Sequence, residues 1–382
     1  MIPTVHLGDV ATIERAGVDP SDLPPDTRYL GLEHIERGGR IISYETVGAA
    51  GLASTKFRFS RDHVLFGKLR PNLGKIARPE FDGVSSTDIL PIRPGMRLDR
   101  DYLTHYLRQP SVVQYAATRA TGANLPRLSP SALAAFEIPL PPIEEQRRIA
   151  AILDQAGAIR TKRRQVLAHL DALAESTFHA MFEGEPATAT VADIGSSIRT
   201  GPFGSQLLHS EFVDEGVAVL GLDNVVGNDF RWGERRFITP AKYERLKRYT
   251  VQPGDVLISI MGTTGRCVVV PDGIPTAINT KHICAITADR SRVEPAFLRA
   301  SFLWHPTSRE HLRRQTKGSI MDGLNMGIIK AMPVPTPGLD RQKEYVARVA
   351  AVDAQRAVVG RALAADDELF GSLQSRAFQG EL

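Results

Sequence analysis

The chain has 382 residues, of which 42% are apolar and 24% charged, and its formal net charge is +4. This composition is ordinary for a globular protein, and the length is sufficient for two domains. No run of about 18 apolar residues occurs, which argues against a transmembrane helix, and residues 1–10 lack the layout of a signal peptide. The two cysteines, Cys267 and Cys284, suit neither a zinc site nor a disulfide framework, so we expect buried thiols in a cytosolic protein.

Positive charge is concentrated in two segments of the chain. Residues 56–78 contain seven basic side chains against Asp62 alone, and residues 235–248 contain six against Glu244 alone. Residues 142–185 are balanced, with six basic and seven acidic side chains. This distribution favours the binding of a polyanion by the globular parts of the molecule.

The elements predicted in these globular parts are short. In chain order, strands at 64–69 and 88–92 precede an amphipathic helix over 101–118. Strands at 217–222, 255–261, 267–270 and 283–286 precede a second amphipathic helix over 295–315. Each globular part is therefore expected to be α+β with a small sheet.

A proline-rich junction, PLPPIEEQRRIAAILD, runs from Pro139 to Asp154 and leads into a long helix-forming segment. Pro142 suits the first helical position, because its missing N–H has no partner there and its φ is already set. Glu144 and Glu145 suit the first turn, where the helix dipole favours acidic side chains. Gly184 is expected to end the helix in the left-handed conformation.

The same layout occurs twice in the chain. An offset of 196 residues aligns Pro139 with Pro335 and Gln146 with Gln342, and it continues to Gly184 and Gly380. In the second copy Asp340 is a cap or first-turn acid, and Gly380 ends the helix. We therefore predict an internal duplication with four domains: a globular domain at 1–140, a helical spacer at 141–185, a second globular domain at 186–337 and a second spacer at 338–382.

Both long helices carry apolar residues at alternating steps of three and four, which is the pattern of a coiled-coil seam. Since neither helix can bury its stripe alone, we expect the two to pair as an antiparallel coiled coil. Arg163, Arg356 and Asp366 interrupt the pattern, either by extending to the edge of the seam or by fixing its register. The predicted apolar seam consists of Ile149, Ile152, Ile159, Val166, Leu170, Leu173, Val349, Val352, Val359, Leu363, Phe370 and Leu373.

Sequence motifs of catalysis are missing. MGTTGR (261–266) lacks the spacing and the lysine of a P-loop, and there is no HExxH, paired CxxC, GxSxG, methyltransferase N/D-P-P-Y/F motif or nuclease cluster. We therefore expect no active site and no metal site in this chain.

Taken together, the tandem layout and the junction resemble the specificity subunits of Type I restriction–modification systems. The stretches KLRPNLGK (68–75), TGPFGSQL (200–207) and LQSRAFQGEL (373–382) are also similar to that family. The second junction departs from the family pattern, since Gly338 replaces the last proline and Tyr345 the first isoleucine.

The resemblance implies a division of labour. Each globular domain is a target-recognition domain that reads one half of a bipartite, asymmetric double-stranded DNA sequence, and the helices set the distance between the halves. Two modification (methyltransferase) subunits dock on the helices, and a restriction subunit is possible. The chain itself holds no cofactor, since S-adenosylmethionine, ATP and Mg belong to the partners, and the complex is cytoplasmic with no membrane.

Candidate DNA contacts lie in polar turns of each globular domain. Arginine suits guanine and asparagine suits adenine, whereas lysine suits phosphate and glycine allows close approach of the backbone. The candidates in the first domain are Lys68, Arg70, Asn72, Lys75, Asn124 and Arg127. Those in the second are Gly201, Ser205, Gln206, Thr263, Thr264, Arg266, Asn279, Lys281, His282, Lys317 and Ser319.

Two other functions remain open from the sequence. The chain could serve a Type IIB-like system, in which one partner both methylates and cleaves. Alternatively it could be a coiled-coil scaffold that binds only proteins, which predicts no salt-dependent DNA binding.

Overall fold

The structure is a computed structural model that describes residues 2–316 and 323–382. The chain divides into two compact units, one formed by Met1–Arg164 with Arg361–Leu382 and the other by Gln165–Gly360. Each unit therefore contains one globular part and a portion of both long helices. No helix in the described ranges combines the length and the apolar character needed to cross a bilayer.

Residues 2–182 of the described chain contain eleven strands and five α-helices. In order these are β1 (Thr4–His6), α1 (Leu7–Val10), β2 (Ala11–Ile13), β3 (Gly17–Val18), β4 (Arg28–Leu30), β5 (Glu45–Thr46), β6 (Lys56–Phe59), β7 (Val64–Gly67), β8 (Ile76–Ala77), β9 (Gly83–Ser85), β10 (Ile89–Pro94), α2 (Arg100–Leu107), α3 (Pro110–Thr118), α4 (Pro130–Ala134), β11 (Glu137–Pro139) and α5 (Ile143–Phe182).

The second half repeats this order with small differences. Its elements are β12 (Ala187–Thr190), α6 (Val191–Ile194), β13 (Gly195–Thr200), β14 (Val217–Leu220), β15 (Phe237–Ile238), α7 (Pro240–Leu246), β16 (Thr250–Val251), β17 (Val256–Ser259), β18 (Cys267–Val269), β19 (Ala277–Asn279), β20 (Ile283–Ala288), α8 (Pro295–Trp304), α9 (Pro306–Thr316), α10 (Met326–Lys330), β21 (Pro333–Pro335) and α11 (Leu339–Gln379).

The sheets confirm the duplication. One sheet has the order β2-β10-β7-β8 in the first unit and β13-β20-β17-β18 in the second. A neighbouring sheet contains β6-β9-β4-β5 in the first unit, where β3 is added at the edge, and β16-β19-β14-β15 in the second. In both units its central pair is parallel, with Tyr29 opposite Val84 and Ala218 opposite Ala277. The two halves therefore share one topology.

The core of each unit lies between the first of these sheets and the helices. In the first unit Phe66, Leu90 and Tyr102 are fully buried in one cluster that extends to Leu153 of α5. In the second unit Ile258, Phe297 and Tyr345 occupy the corresponding cluster. The long helices are therefore parts of the two cores.

Proline shortens two of the predicted helices. The single helices expected over 101–118 and 295–315 are each two helices, because Pro110 and Pro306 begin new ones. A proline in a helix interior would remove a backbone hydrogen bond and clash with the preceding turn. The six strands predicted in the two globular parts correspond to β7, β10, β14, β17, β18 and β20.

The ends of the long helices agree with the sequence except at Pro142. This proline precedes the helix, and its carbonyl accepts the first helical hydrogen bond, from the Gln146 N–H at 3.1 Å. It is therefore the N-cap and not the first helical residue. Gly184 and Gly380 have φ of 78° and 81°, which confirms the left-handed termination.

One glutamine fastens each long helix to its globular part. Gln146 is fully buried, and its Nε2 donates to the carbonyls of Arg97 at 2.9 Å and Pro141 at 2.8 Å. Its Oε1 accepts the N–H of Asp99, the N-cap of α2, at 2.8 Å. Gln342 makes the same three bonds in the second unit, to the carbonyls of Arg292 and Pro337 and from the N–H of Glu294. We call each set of three bonds the glutamine latch.

The long helices run antiparallel within each unit. In the first unit the start of α5 lies beside the end of α11, where the Arg160 guanidinium is 2.5 Å from the Asp367 carboxylate. In the second unit the end of α5 lies beside the start of α11, and Arg341 pairs with Glu185 at 2.8 Å.

The predicted seam is wrong in α5 at three positions. Ile159, Val166 and Leu173 are 43%, 44% and 44% exposed, whereas Leu153 is fully buried and Arg160 and Leu167 are half-buried. The helix uses a step of four where we expected a step of three. The sequence did not predict this register because a charged residue, Arg160, occupies a seam position. Its guanidinium lies over the Phe370 ring, 4.2 Å from the centroid. The remaining predicted positions in both helices are buried or half-buried: Ile149, Ile152, Leu170, Val349, Val352, Val359, Leu363, Phe370 and Leu373.

The charged residues that interrupt the seam pair across the helices. Arg163 pairs with Asp366 in the first unit, and Arg356 lies 2.7 Å from Asp171 in the second. Since each pair joins complementary positions of antiparallel helices, the contacts favour a role in fixing register over simple extension to solvent.

Replacing Gln146 with leucine is expected to destabilise the first unit by about 2–4 kcal/mol. The change leaves a buried N–H and two buried carbonyls without partners. Urea denaturation measures the loss, and Gln155→Leu, on the exposed face of the same helix, is the control. Equal midpoints for the two variants would contradict the latch.

The Arg163–Asp366 pair is testable by charge exchange. Arg163→Asp and Asp366→Arg should each destabilise, and the double variant should recover roughly 0.5–1 kcal/mol relative to their sum. The matched control is the exposed pair Glu144 and Arg147 of the same helix, for which we expect almost no coupling. Purely additive effects at Arg163 and Asp366 would exclude a role in register.

Candidate nucleic-acid interface

The first candidate surface is built on the hairpin of β7 and β8. These strands pair antiparallel and are joined by residues 68–75, in which Pro71–Leu73 form one turn of 3-10 helix. The loop at 121–128 lies against this turn, since the Arg70 N–H donates to the Pro126 carbonyl at 2.8 Å and Leu69 bridges Arg127. The structure thus brings together two polar segments that are about fifty residues apart in the sequence.

Three of the predicted contact residues on this surface are exposed. Within residues 2–316 and 323–382 the side chains of Arg70, Asn72 and Asn124 have no hydrogen-bond or ion-pair partner. Lys68 is half-buried at the base of the turn and is also without a side-chain partner in the described chain. These four groups are free to bind a ligand.

Two other predicted contacts are engaged inside the protein. The Lys75 ammonium donates to the Leu32 carbonyl at 2.7 Å, and the Arg127 guanidinium pairs with Asp88 at 2.9 Å. This hydrogen bond with Asp88 and the charge of that carboxylate raise the pKa of Arg127. Both side chains therefore hold the surface together and are poorer candidates for DNA than Lys68 or Arg70.

The corresponding hairpin of the second unit is formed by β17 and β18. Residues 260–266 join the strands, and the Ile260 N–H donates to the His282 carbonyl at 2.9 Å. The Leu324 N–H donates to the Ile260 carbonyl at 2.7 Å, and Met261 bridges Gly323. Thr263 and Arg266 are exposed on this turn, and Thr264 is half-buried.

Beside this turn the second unit contains a cleft of about 720 Å³. The predicted residues Lys281 and His282 line one side of it, and Arg235 lies exposed on another. Arg236 is held by Asp223, and the buried Oδ2 of Asp223 and Oγ1 of Thr280 have no hydrogen-bond partner in the described part of the chain. The cleft therefore presents the basic groups of Arg235 and Lys281 together with the carboxylates of Asp214 and Glu234.

The surroundings of His282 favour its neutral form. Burial and the neighbouring Lys281 lower its pKa from the usual value. It can therefore accept or donate one hydrogen bond at neutral pH without adding positive charge.

Two predicted contacts of the second unit are buried. Asn279 is fully buried, and its Nδ2 donates to the Ile283 carbonyl at 2.8 Å. Gly201 packs so closely on residues 279–280 that a Cβ would lie 2.1 Å from the Asn279 carbonyl oxygen. Glycine is required there for close packing of two backbones, so neither residue presents an accessible group to a duplex.

The remaining predicted residues of the second unit have mixed surroundings. Ser205 is exposed, while Gln206 accepts hydrogen bonds from Tyr249 at 2.7 Å and Arg248 at 3.2 Å. Lys317 and Ser319 lie outside the described residues. Sequence reasoning did not select Arg235, although it lies in a basic segment, because nothing in the sequence shows that residues 235 and 281 face one cleft.

The two cysteines are inert in these surroundings. Both are buried and free, and burial raises the pKa of Cys267 and of Cys284 to about 12. The thiols are therefore protonated at neutral pH and are poor nucleophiles. Among the described residues no cluster of three or more His, Cys, Asp or Glu side chains is placed to hold a metal ion.

Comparison with known proteins shows which proteins the chain is similar to. A family model described as Type I restriction modification DNA specificity domain matches residues 3–169. The Type I restriction enzyme EcoDI specificity subunit of Escherichia coli is 29% identical over 186 residues, which cover 47% of this chain and 41% of that protein. The EcoBI specificity subunit of Escherichia coli is 27% identical over 174 residues, covering 44% and 36%. The matched region thus spans less than half the length of these two relatives.

A longer match and two solved structures extend the similarity over the chain. The putative MjaX specificity subunit of Methanocaldococcus jannaschii is 24% identical over 326 residues, covering 78% of this chain and 73% of that protein. The S subunit of the M. genitalium Type-I restriction-modification system shares the fold with a TM-score of 0.63 at 14% identity, covering 98% and 96% of the two chains. A chain from a structure of the type I R-M system has a TM-score of 0.60 at 20% identity over the whole of both chains. Residues 3–169 therefore match a Type I restriction modification DNA specificity domain, and the chain as a whole is similar to specificity subunits of Type I restriction systems.

Proposed function

We propose that this protein is the non-catalytic DNA-recognition subunit of a cytoplasmic restriction–modification complex, and that it reads a bipartite, asymmetric target. One observation carries the proposal. A hairpin turn occurs once in each unit, in the same topological position, with different exposed side chains: Arg70 and Asn72 in the first unit and Thr263 and Arg266 in the second. A repeated scaffold with different polar tips suits two readers of two different half-sites.

The exposed side chains of the two hairpin turns are of the types that bind base edges in the major groove. Arginine pairs with guanine through two hydrogen bonds, asparagine pairs with adenine, and the threonine methyl packs on the thymine methyl. Lys68 in the first unit and Arg235 and Lys281 in the second carry the positive charge that phosphates require. Since the two sets of side chains differ, the two half-sites should differ as well.

The long helices supply the spacing between half-sites. A helix of 40 residues such as α5 is about 60 Å long. Two readers on one face of B-DNA need centres about 34 Å apart, or one helical turn. The length of these helices is therefore sufficient for a spacer of the required scale.

The helices also offer a surface to partner subunits. Ile159, Val166 and Leu173 are exposed at intervals of seven on one stripe of α5. Exposed apolar stripes of this kind mark protein interaction sites. We assign the stripe to two modification subunits, which would supply S-adenosylmethionine; a restriction subunit, if present, would supply the ATP- and Mg-dependent steps.

Deleting the gene is expected to abolish methylation at one bipartite adenine motif in the host DNA. The protein would be the only component of the complex that selects the sequence, so the modification subunits cannot act without it. Sequencing of native DNA for methylated bases, before and after deletion, makes the measurement.

Restoring the intact gene should return the same motif and no other. If the modification subunits are expressed and the methylated motifs are unchanged by deletion, the proposed function is wrong. That result would favour a scaffold that binds only proteins.

Lengthening both helices by one heptad is expected to move the two half-sites apart by about three base pairs. Seven residues add roughly 10 Å to a helix and preserve the facing register, and one base pair rises about 3.4 Å. The insertions belong between Gln165 and Val166 and between Gly360 and Arg361, and the methylated motif reports the spacing.

An insertion in α5 alone is the control, since it displaces half of the seam and should abolish methylation. If the doubly lengthened protein still methylates the original spacing, the helices do not act as the spacer.

A further inference from the structure

Arg70 has an unusual backbone conformation. Its φ is 49° and its ψ is 62°, in the left-handed region. Among the described residues the only other non-glycine with a positive φ is Asn228. Asparagine tolerates this region, whereas a longer side chain is uncommon there. Arg70 also precedes Pro71, and a residue before proline is normally driven towards extended conformations.

The second unit shows what this position requires. Leu69 bridges Arg127 in the first unit, and Met261 bridges Gly323 in the second. The next residue along the turn is Arg70 in the first unit and Gly262 in the second, and Gly262 is also left-handed, with a φ of 78°. The two hairpins therefore share a left-handed position next to this bridge, which is occupied by Arg70 in the first unit and by glycine in the second.

The left-handed conformation is imposed by the turn. The Arg70 N–H donates to the Pro126 carbonyl at 2.8 Å, and its carbonyl accepts the Leu73 N–H at 2.9 Å. Glycine adopts this conformation without cost, but a residue with a Cβ does not. Arginine is therefore an unfavourable choice for the fold at this position.

The side chain of Arg70 makes no polar contact that would stabilise the fold. The guanidinium of Arg70 is exposed and has no hydrogen-bond or ion-pair partner in the part of the chain that the structure describes. Strain at a residue with no structural contacts points to a function of its side chain.

We infer that Arg70 is a specificity-determining residue, whose guanidinium reads a guanine in the major groove of the half-site bound by the first unit. The inference rests on the proposed function. A phosphate contact can be made by any basic side chain on relaxed backbone, as Lys68 provides beside it. A guanine offers two acceptors, O6 and N7, which match the planar donor fork of arginine only from a fixed direction. A turn anchored at Pro126 and Leu73 fixes that direction.

The test selects DNA from a duplex library randomised over about 30 base pairs. The full-length chain in complex with its modification subunits is compared with Arg70→Lys and Arg70→Gly. Wild type should select a bipartite motif with a guanine in one half-site. In both variants the preference for guanine over the other bases at that position should fall by about 5- to 150-fold. The sequence selected at the other half-site should not change.

Arg70→Lys separates base reading from phosphate binding, because it keeps the charge and loses the fork. A lysine variant that selects the wild-type motif would overturn the inference. Arg58→Lys, on the exposed face of β6, is the matched control and should select the wild-type motif.

Thermal denaturation of the same proteins tests the strain independently. Arg70→Gly should melt no lower than wild type, since it places in the first turn the residue found in the second. A clear fall in its melting temperature would assign Arg70 a structural role and overturn the inference. If wild type itself selects no motif, the proposed function fails together with the inference, whereas a selective wild type with unaltered variants refutes the inference alone.

Discussion

The three hydrogen bonds of the buried glutamine carboxamide fasten each long helix to the globular part of its own unit. Gln146 and Gln342 each lie at the fourth residue of a long helix and bind the proline junction and the N-cap of α2 or α8. A buried carboxamide has few ways to satisfy both its N–H groups and its oxygen, so the helix leaves its globular part in one direction. The glutamine therefore sets how the start of each long helix lies against the globular part of its own unit.

Beyond the glutamine latch, the two units hold their helices by different chemistry. In the first, Asp154 of α5 binds Arg78 at 2.7 Å and His105 at 2.9 Å. Burial opposes ionisation of this carboxyl, but hydrogen bonds from His105 and Arg78 hold its pKa well below the usual range. The stability that Asp154 contributes is therefore present above the ordinary aspartate pKa and lost only as the pH falls through the lower folded value. In the second unit Ala350 takes this place in the repeat, and the rings of Phe178, Phe182, Phe297 and Tyr345 pack together instead.

The sequence predicts those parts of the fold that depend on local backbone preference or on the internal repeat. The duplication, the long helices and their terminal glycines follow from spacing and backbone preference. The seam of α5 did not follow, because Arg160 fills an apolar position through its stem and a stacking contact that no hydropathy pattern contains. At the candidate interface, residues 68–75 were identified by their polarity, but the burial of Asn279 and the pairing of Arg127 with Asp88 depend on contacts between distant segments. The difference between Arg70 and Gly262 was present in the sequence, yet only the bridges to residues 127 and 323 show that the two positions are equivalent.

Duplication gives this architecture two turns that can change independently. The glutamine latch, the sheets and the cores are shared by both units, so substitutions there affect folding. The tips of the β7–β8 and β17–β18 hairpins make few core contacts, and a side chain such as Arg70 or Thr263 can be exchanged at little cost to either core. Where the backbone demands a left-handed residue, one unit has glycine and the other accepts the strain of arginine. Under the proposed function, a scaffold that tolerates an unfavourable residue in one hairpin turn and a neutral one in the other would recognise two different sequences with a single fold.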